Sequence, residues 1–290
     1  MAASEWTVPP PVVGENGARE ELEQLEVDLL LEAVYRRYGF DFREYAPASL
    51  KRRLWRRLTA EGLTTVTQLQ DRLLHDEGAM ERLLLDLSIN VTSMFRDPSF
   101  YVAFRENVVP MLRTYPFTRV WCAGCSTGEE VYSLAILLHE EGLYERTRIY
   151  ATDINAQVLN TALAGVFPLE KMKQYTQNYI RAGGKGEFSE YYVAAYDGAR
   201  FSRSLTKNVV FAQHNLVSDH TFNQFNAILC RNVLIYFDKT LQDRVHGLFH
   251  ESLEMFGVLS LGHKESVAFS PYVDSYEVVE AAERIYRGIK

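Results

Sequence analysis

The 290-residue sequence has little cysteine, no long apolar run and no excess of positive charge, and each shortage removes a class of protein. Three cysteines, an odd number, cannot staple a chain of this length, which excludes a disulfide-framed secreted domain and fits a reducing compartment. Cys122 and Cys125 form a C-x-x-C, but Cys230 stands alone and no histidine pair sits at ligand spacing. Small residues packing a strand end are the better reading than a redox or zinc site. No stretch approaches the roughly 20 uninterrupted apolar residues of a membrane span. The first residues also lack a basic segment followed by an apolar one. These absences predict a cytoplasmic protein with no membrane insertion. The net charge of −7 speaks against nucleic acid as the main partner, because a polyanion is bound by a basic surface.

What is present reads as an ordinary globular chain, 47% hydrophobic and 24% charged, long enough for one full α/β domain and a small helical one. Residues 1–20, with Pro9, Pro10 and Pro11 in a row, are expected to form a disordered tail. Over residues 21–90 apolar side chains recur at helical spacing, as in Leu22, Leu25, Leu29 and Leu30, then Leu50, Leu54 and Leu58, predicting a bundle of about four helices. Residues 91–115 form a linker and a connecting helix, with Asp97 as N-cap, Pro98 at the first helical position and an end near Arg113. Over 116–290 short apolar runs alternate with helical segments, the pattern of βαβ units and a mostly parallel sheet. Candidate strands are Arg119–Ala123, Arg148–Thr152, Val209–Gln213, Ala227–Cys230 and Gly257–Leu261. Residues 168–207 interrupt that rhythm with two short helical pieces and two runs suited to a small antiparallel sheet, an inserted β-subdomain.

The run from Val120 through Gly124 and Gly128 to Glu129-Glu130 is a strand feeding a glycine loop that opens a helix, where an open α/β sheet binds nucleotide-like ligands. Gly124 permits close backbone approach and Glu129 stands at the loop end. The spacing is G-x-x-x-G rather than G-x-G-x-x-G, and two glutamates at the helix start repel phosphate, so a sulfonium compound fits better than NAD. The acids would also serve as plain partners of the helix dipole. The next strand ends in Asp153, placed to accept from both ribose hydroxyls, or else to start the following helix.

Four motifs in order carry a resemblance to a known family: Asn90-Val91-Thr92-Ser93-Met94-Phe95-Arg96-Asp97, Cys125-Ser126-Thr127-Gly128-Glu129-Glu130, Ala151-Thr152-Asp153-Ile154 and Cys230-Arg231-Asn232-Val233-Leu234-Ile235-Tyr236-Phe237. From about residue 25 to its end the chain resembles the chemotaxis receptor methyltransferases, the CheR family. The resemblance implies a Rossmann-like class I methyltransferase domain that uses S-adenosyl-L-methionine, releases S-adenosyl-L-homocysteine and esterifies glutamates on receptor helices. It implies that Asn90, Thr92 and Arg96 close over the cofactor, that Glu129 and Asp153 hold its methionine and ribose parts, and that Asn215, Leu216, Arg231 and Asn232 complete the pocket with Gly124. Arg96 and Tyr236 would face the acceptor carboxylate. It further implies a monomer whose partner is the cytoplasmic helical region of a chemoreceptor, with a receptor C-terminal peptide as a possible second contact at the β-subdomain.

Two departures stand out: Val131 where a proline commonly follows Glu-Glu, and a lysine interrupting the run Gly262-His263-Lys264-Glu265-Ser266. The run Lys51 to Arg57 predicts a helix with Leu50, Leu54 and Leu58 inward and Arg53 and Arg57, with Arg52 and Arg56, as an outward cationic ridge that steers acidic helices. Two alternatives compete: a methyltransferase for another protein, a small molecule or RNA, and a module that binds the cofactor without turnover.

Overall fold

In the computed structural model, which describes residues 15–87, 92–195 and 198–290, the N-terminal apolar repeats form helices α1 (Glu15–Tyr38), α2 (Pro47–Ala60), α3 (Val66–His75) and α4 (Glu77–Leu87). Helix α1 starts at Glu15, so residues 15–20, expected in the tail, are helical; residues 1–14 lie outside the described residues. Leu30, Leu54, Leu69 and Leu83 turn into one apolar cluster, whereas Leu22, Leu25 and Leu29 stay more than half exposed. Thr65 and Gln68 close α3 with reciprocal side-chain to backbone bonds, which fixes where that helix begins.

The connecting helix runs as α5 (Pro98–Ala103), a π-helical turn (Phe104–Val108) and α6 (Val109–Arg113), ending where the sequence indicated. Alternation then follows: β1 (Thr118–Ala123), α7 (Glu129–Glu140), β2 (Thr147–Asp153), α8 (Ala156–Ala164), β3 (Val166–Pro168), α9 (Leu169–Arg181), β4 (Tyr192–Ala195), β5 (Gly198–Phe201), β6 (Val209–Gln213), β7 (Phe225–Cys230), α10 (Lys239–Ser252), β8 (Leu253–Leu261), β9 (Tyr276–Glu280) and β10 (Ile285–Gly288). The main sheet is ordered β6-β2-β1-β7-β8-β10-β9, parallel from β6 to β8, with β10 antiparallel to both of its neighbours. All five expected strands are present; the β9–β10 hairpin was not foreseen. Among the described residues the insert holds the 13-residue helix α9, longer than the short pieces expected, with 3-10 turns at Phe188–Tyr191 and Arg203–Leu205 and an antiparallel sheet ordered β3-β5-β4.

Strand alternation splits the core. Val120 and Cys122 pack with Leu134, Leu137 and Leu138 of α7, while Trp121 and Ala123 pack with Val245 and Phe249 of α10. The Trp121 indole is fully buried among Phe222, Phe225 and Phe249 and donates to the Thr152 hydroxyl at 2.8 Å, which ties β1 to β2 near their C-terminal ends. Sequence order reverses between β1 and β7, the position at which such sheets open a ligand crevice.

His246 of α10 is buried, and that burial pushes its imidazole down to about 4 from 6.5. A ring neutral in the fold but protonated in the unfolded chain stabilises the fold above about pH 6.5, and that contribution is lost as pH falls toward 4. His246→Gln should therefore lower Tm at pH 7.5 by more than it does at pH 5. A Tm difference that holds constant or widens in acid contradicts this assignment.

Candidate active site

The C-terminal ends of the parallel strands hold a cleft enclosing about 1080 Å³, part of it open to solvent. The β1 loop enters first. Gly124 has φ +76°, and a Cβ there would lie 2.6 Å from a Val233 methyl, so only glycine lets this loop close on the loop after β7. The Gly124 and Cys125 amides both donate to the Thr152 carbonyl at 2.8 Å, and the Ser126 amide donates to Asp153 at 2.9 Å. Asp153 also accepts from the Asn155 amide at 3.0 Å. Burial pushes its carboxyl above the usual range, and these backbone donors oppose that rise.

The other walls come from the loop after β6, the loop after β7 and the linker before α5. Asn215 accepts from the Val217 amide at 3.0 Å, a local turn that presents Leu216 to the cleft. Thr92, Arg96, Gly124 and Asp153 line the cleft together with Asn215, Leu216, Arg231, Asn232 and Tyr236, so nine of the residues read from sequence meet in one place. Asn90 lies outside the described residues. Glu129 is not among the residues lining the cleft: it is buried, with its carboxylate on the Tyr175 and Thr127 hydroxyls at 3.1 and 2.6 Å, and its neighbour Glu130 lines the cleft. The first turn of α7 aims consecutive side chains about 100° apart, which separates the two glutamates into different surroundings.

Arg231 is the hub. Its side chain is 1% exposed, pairs with Asp97 at 2.9 Å and Glu130 at 3.2 Å, and stacks on Phe100 with its guanidinium carbon 3.9 Å from the ring centre. It also donates to the Arg96 carbonyl at 3.4 Å. Asp97 therefore does not cap α5 with its side chain as expected; with φ +56° it turns that carboxylate to Arg231. Burial pushes the Glu130 carboxyl up and Arg231 pulls it back. Phe95, Asp97, Ser126 and Asn232, all non-glycines with positive φ, sit in three of the four segments that frame the cleft.

The cationic ridge of α2 is also corrected. Arg53 is buried, bonded to the Leu87 carbonyl and stacked 4.6 Å from the Tyr236 ring centre. Arg57 is half-buried and holds Asp86, the Arg82 carbonyl and Glu61. Lys51, Arg52 and Arg56 face out, with Arg56 pairing to Asp86 and Lys51 to Glu23. Burial raises the Tyr236 phenol above its ordinary range while Arg53 and Arg96 draw it down, so it stays a hydrogen-bond donor at neutral pH. Sequence reasoning passed over Glu265, whose buried carboxylate accepts backbone N–H groups from the β7 loop.

Residues 90–284 match the family model described as CheR methyltransferase, SAM binding domain, and residues 25–88 match CheR methyltransferase, all-alpha domain. The chain belongs to the CheR methyltransferase family. A Pseudomonas putida relative named Cher3 is 53% identical over 92% of this chain and 98% of its own length. The chemotaxis protein methyltransferase of Salmonella typhimurium is 31% identical over 82% of each. Among solved structures, the N-methyltransferase NodS of Bradyrhizobium japonicum in complex with S-adenosylhomocysteine aligns with 77% of this chain and 98% of its own at a TM-score of 0.40 and 14% identity. This CheR methyltransferase uses S-adenosyl-L-methionine. The cleft suits it, with a carboxylate at the end of β2, an apolar wall at Leu216 and a second carboxylate, Glu130, on the side nearer the linker.

Removing Arg231 would strand Glu130 without its cation. Arg231→Leu is expected to cost about 3–5 kcal/mol in urea unfolding, because one half of a buried ion pair remains uncompensated. A loss below about 1 kcal/mol would contradict the hub.

Proposed function

We propose that this CheR methyltransferase esterifies glutamate side chains on the cytoplasmic helices of chemoreceptors. The observation that carries the reading is that Arg96, from the linker, and Tyr236, from the loop after β7, line the same cleft as Asp153 and Leu216. Relatives named chemotaxis protein methyltransferase support it.

S-adenosyl-L-methionine supplies an electrophilic methyl group on a sulfonium. Asp153 would hold the ribose, Leu216 with Asn215 the base, and Thr92, Arg231 and Asn232 the remainder of the pocket. A glutamate is ionised at neutral pH, so the acceptor needs no general base and the protein's task is placement. Arg96 grips one carboxylate oxygen through its fork and the Tyr236 hydroxyl donates to the carboxylate, which fixes the line of attack. Orientation of this kind is worth about 7–11 kcal/mol. Arg53, stacked on Tyr236, restricts the ring that must aim the hydroxyl.

The acceptor helix docks across the helical region, steered by the outward Arg52 and Arg56, and the enzyme works as a cytoplasmic monomer. The strand β4 forms one edge of the small sheet with Val193 well exposed, which suits addition of an extended receptor tail.

Methyl-tritiated S-adenosylmethionine incubated with a purified receptor cytoplasmic fragment should label the fragment, with the label released as methanol by mild base. Base-stable label would overturn the ester. Arg96→Ala should lower kcat by about 100-fold at saturating acceptor, and near wild-type turnover would remove Arg96 from the reaction.

A further inference from the structure

We infer that Glu265 is a positioning residue for methyl transfer, a carboxylate that sets the shape of the loop carrying Arg231, Asn232 and Tyr236. Its oxygens accept four backbone N–H groups. Oε2 takes Asn232 at 2.9 Å and Gly262 at 2.6 Å, while Oε1 takes Val233 at 2.8 Å and Ile235 at 3.4 Å. The side chain is 4% exposed, and no other side chain is needed to explain where it points. A buried carboxylate satisfied entirely by main-chain donors acts on backbone shape, because three of the four donors belong to the turn after β7 and the fourth, Gly262, to its own loop after β8.

That turn requires holding. Asn232 has φ +63°, a conformation L-residues adopt at a cost, and its amide is one of the four donors. Val233, held by the next bond, touches the Gly124 loop, so the spacing between the β1 and β7 loops depends on the same carboxylate. Ile235 is held one residue before Tyr236. Gly262 completes the device: a Cβ there would stand 2.7 Å from Glu265 Oε2 and 2.9 Å from the Asn232 nitrogen. The lysine that interrupts this stretch, Lys264, is exposed and leaves the carboxylate in place.

Glu265 is not among the residues lining the cleft, so it acts through the loop. The isosteric Glu265→Gln is the informative variant, since an amide nitrogen must face two of the four donors whichever way it turns. In calorimetric titration of the full chain with S-adenosylhomocysteine we expect a stoichiometry near one and a Kd raised about 10-fold. The kcat per occupied site should fall about 100-fold. Gly262→Ala, which crowds the same oxygen from outside, should move both readouts in the same direction, and it serves if the glutamine variant does not fold. A Kd within about twofold of wild type together with an unchanged kcat per occupied site would overturn the inference, even if Tm falls. The kinetic arm rests on the proposed receptor acceptor; wild-type enzyme that labels no receptor fragment would refute that acceptor and leave the titration to decide Glu265.

Discussion

One buried guanidinium joins the linker, the start of α7 and the loop after β7. Arg231 sits at the end of β7, and its partners come from the linker (Asp97 and the Arg96 carbonyl), from the start of α7 (Glu130) and from α5 (Phe100). A charge so fully removed from water is tolerable only with partners in place, since the effective penalty for an uncompensated ion is several kcal/mol. The segments are therefore coupled: a displaced linker exposes a cost at Arg231, and a displaced β7 loop releases Asp97. Arg96 is carried to the cleft on this coupling, which is why a residue from a linker can have a fixed place opposite Tyr236.

The helical region is tied to the same loop from the other side. The Ala46 amide donates to the Tyr236 carbonyl and the Asp238 amide to the Glu44 carbonyl, both at 3.0 Å, so main chain before α2 flanks the Tyr236 turn. Tyr45 pairs with Phe237 across that contact, and Arg53 lies over the Tyr236 ring. Phe42, Leu84 and Leu87 of the helical region accordingly form part of the cleft wall. The linker is anchored on the sheet side as well, with the Phe95 amide on Ser133 at 2.8 Å and Asn178 on the Met94 carbonyl at 3.0 Å. Backbone strain at Phe95, Asp97 and Asn232 is what these anchors hold.

The strand ends were legible because they are marked by residue types with distinct physics: an apolar run, then glycine or an acid where the chain must turn or meet a polar ligand. Gly124 and Asp153 show themselves that way. The family resemblance supplied Thr92, Arg96, Asn215, Leu216, Arg231, Asn232 and Tyr236, which no periodicity marks. What the sequence hid depends on long-range partners. Arg57 lies only about 60° from the centre of the Leu50-Leu54-Leu58 stripe at 100° per residue, so its half-burial was open to simple geometry. Arg53 lies about 100° away, and only the Leu87 carbonyl and the Tyr236 ring decide that it turns in. Glu265 reads as an ordinary surface glutamate until its donors arrive from a loop some thirty residues earlier in the chain. Of Glu129 and Glu130, the motif marks both, and Glu130 is the one that lines the cleft.

The most direct test of the account is a crystal structure with S-adenosylhomocysteine bound. The account predicts the ribose on Asp153, the base against Leu216, the sulfur directed toward Arg96 and Tyr236, and the Arg231 contacts to Asp97 and Glu130 intact. Ligand bound outside the cleft, or a linker that leaves Arg231 when ligand is present, would contradict it.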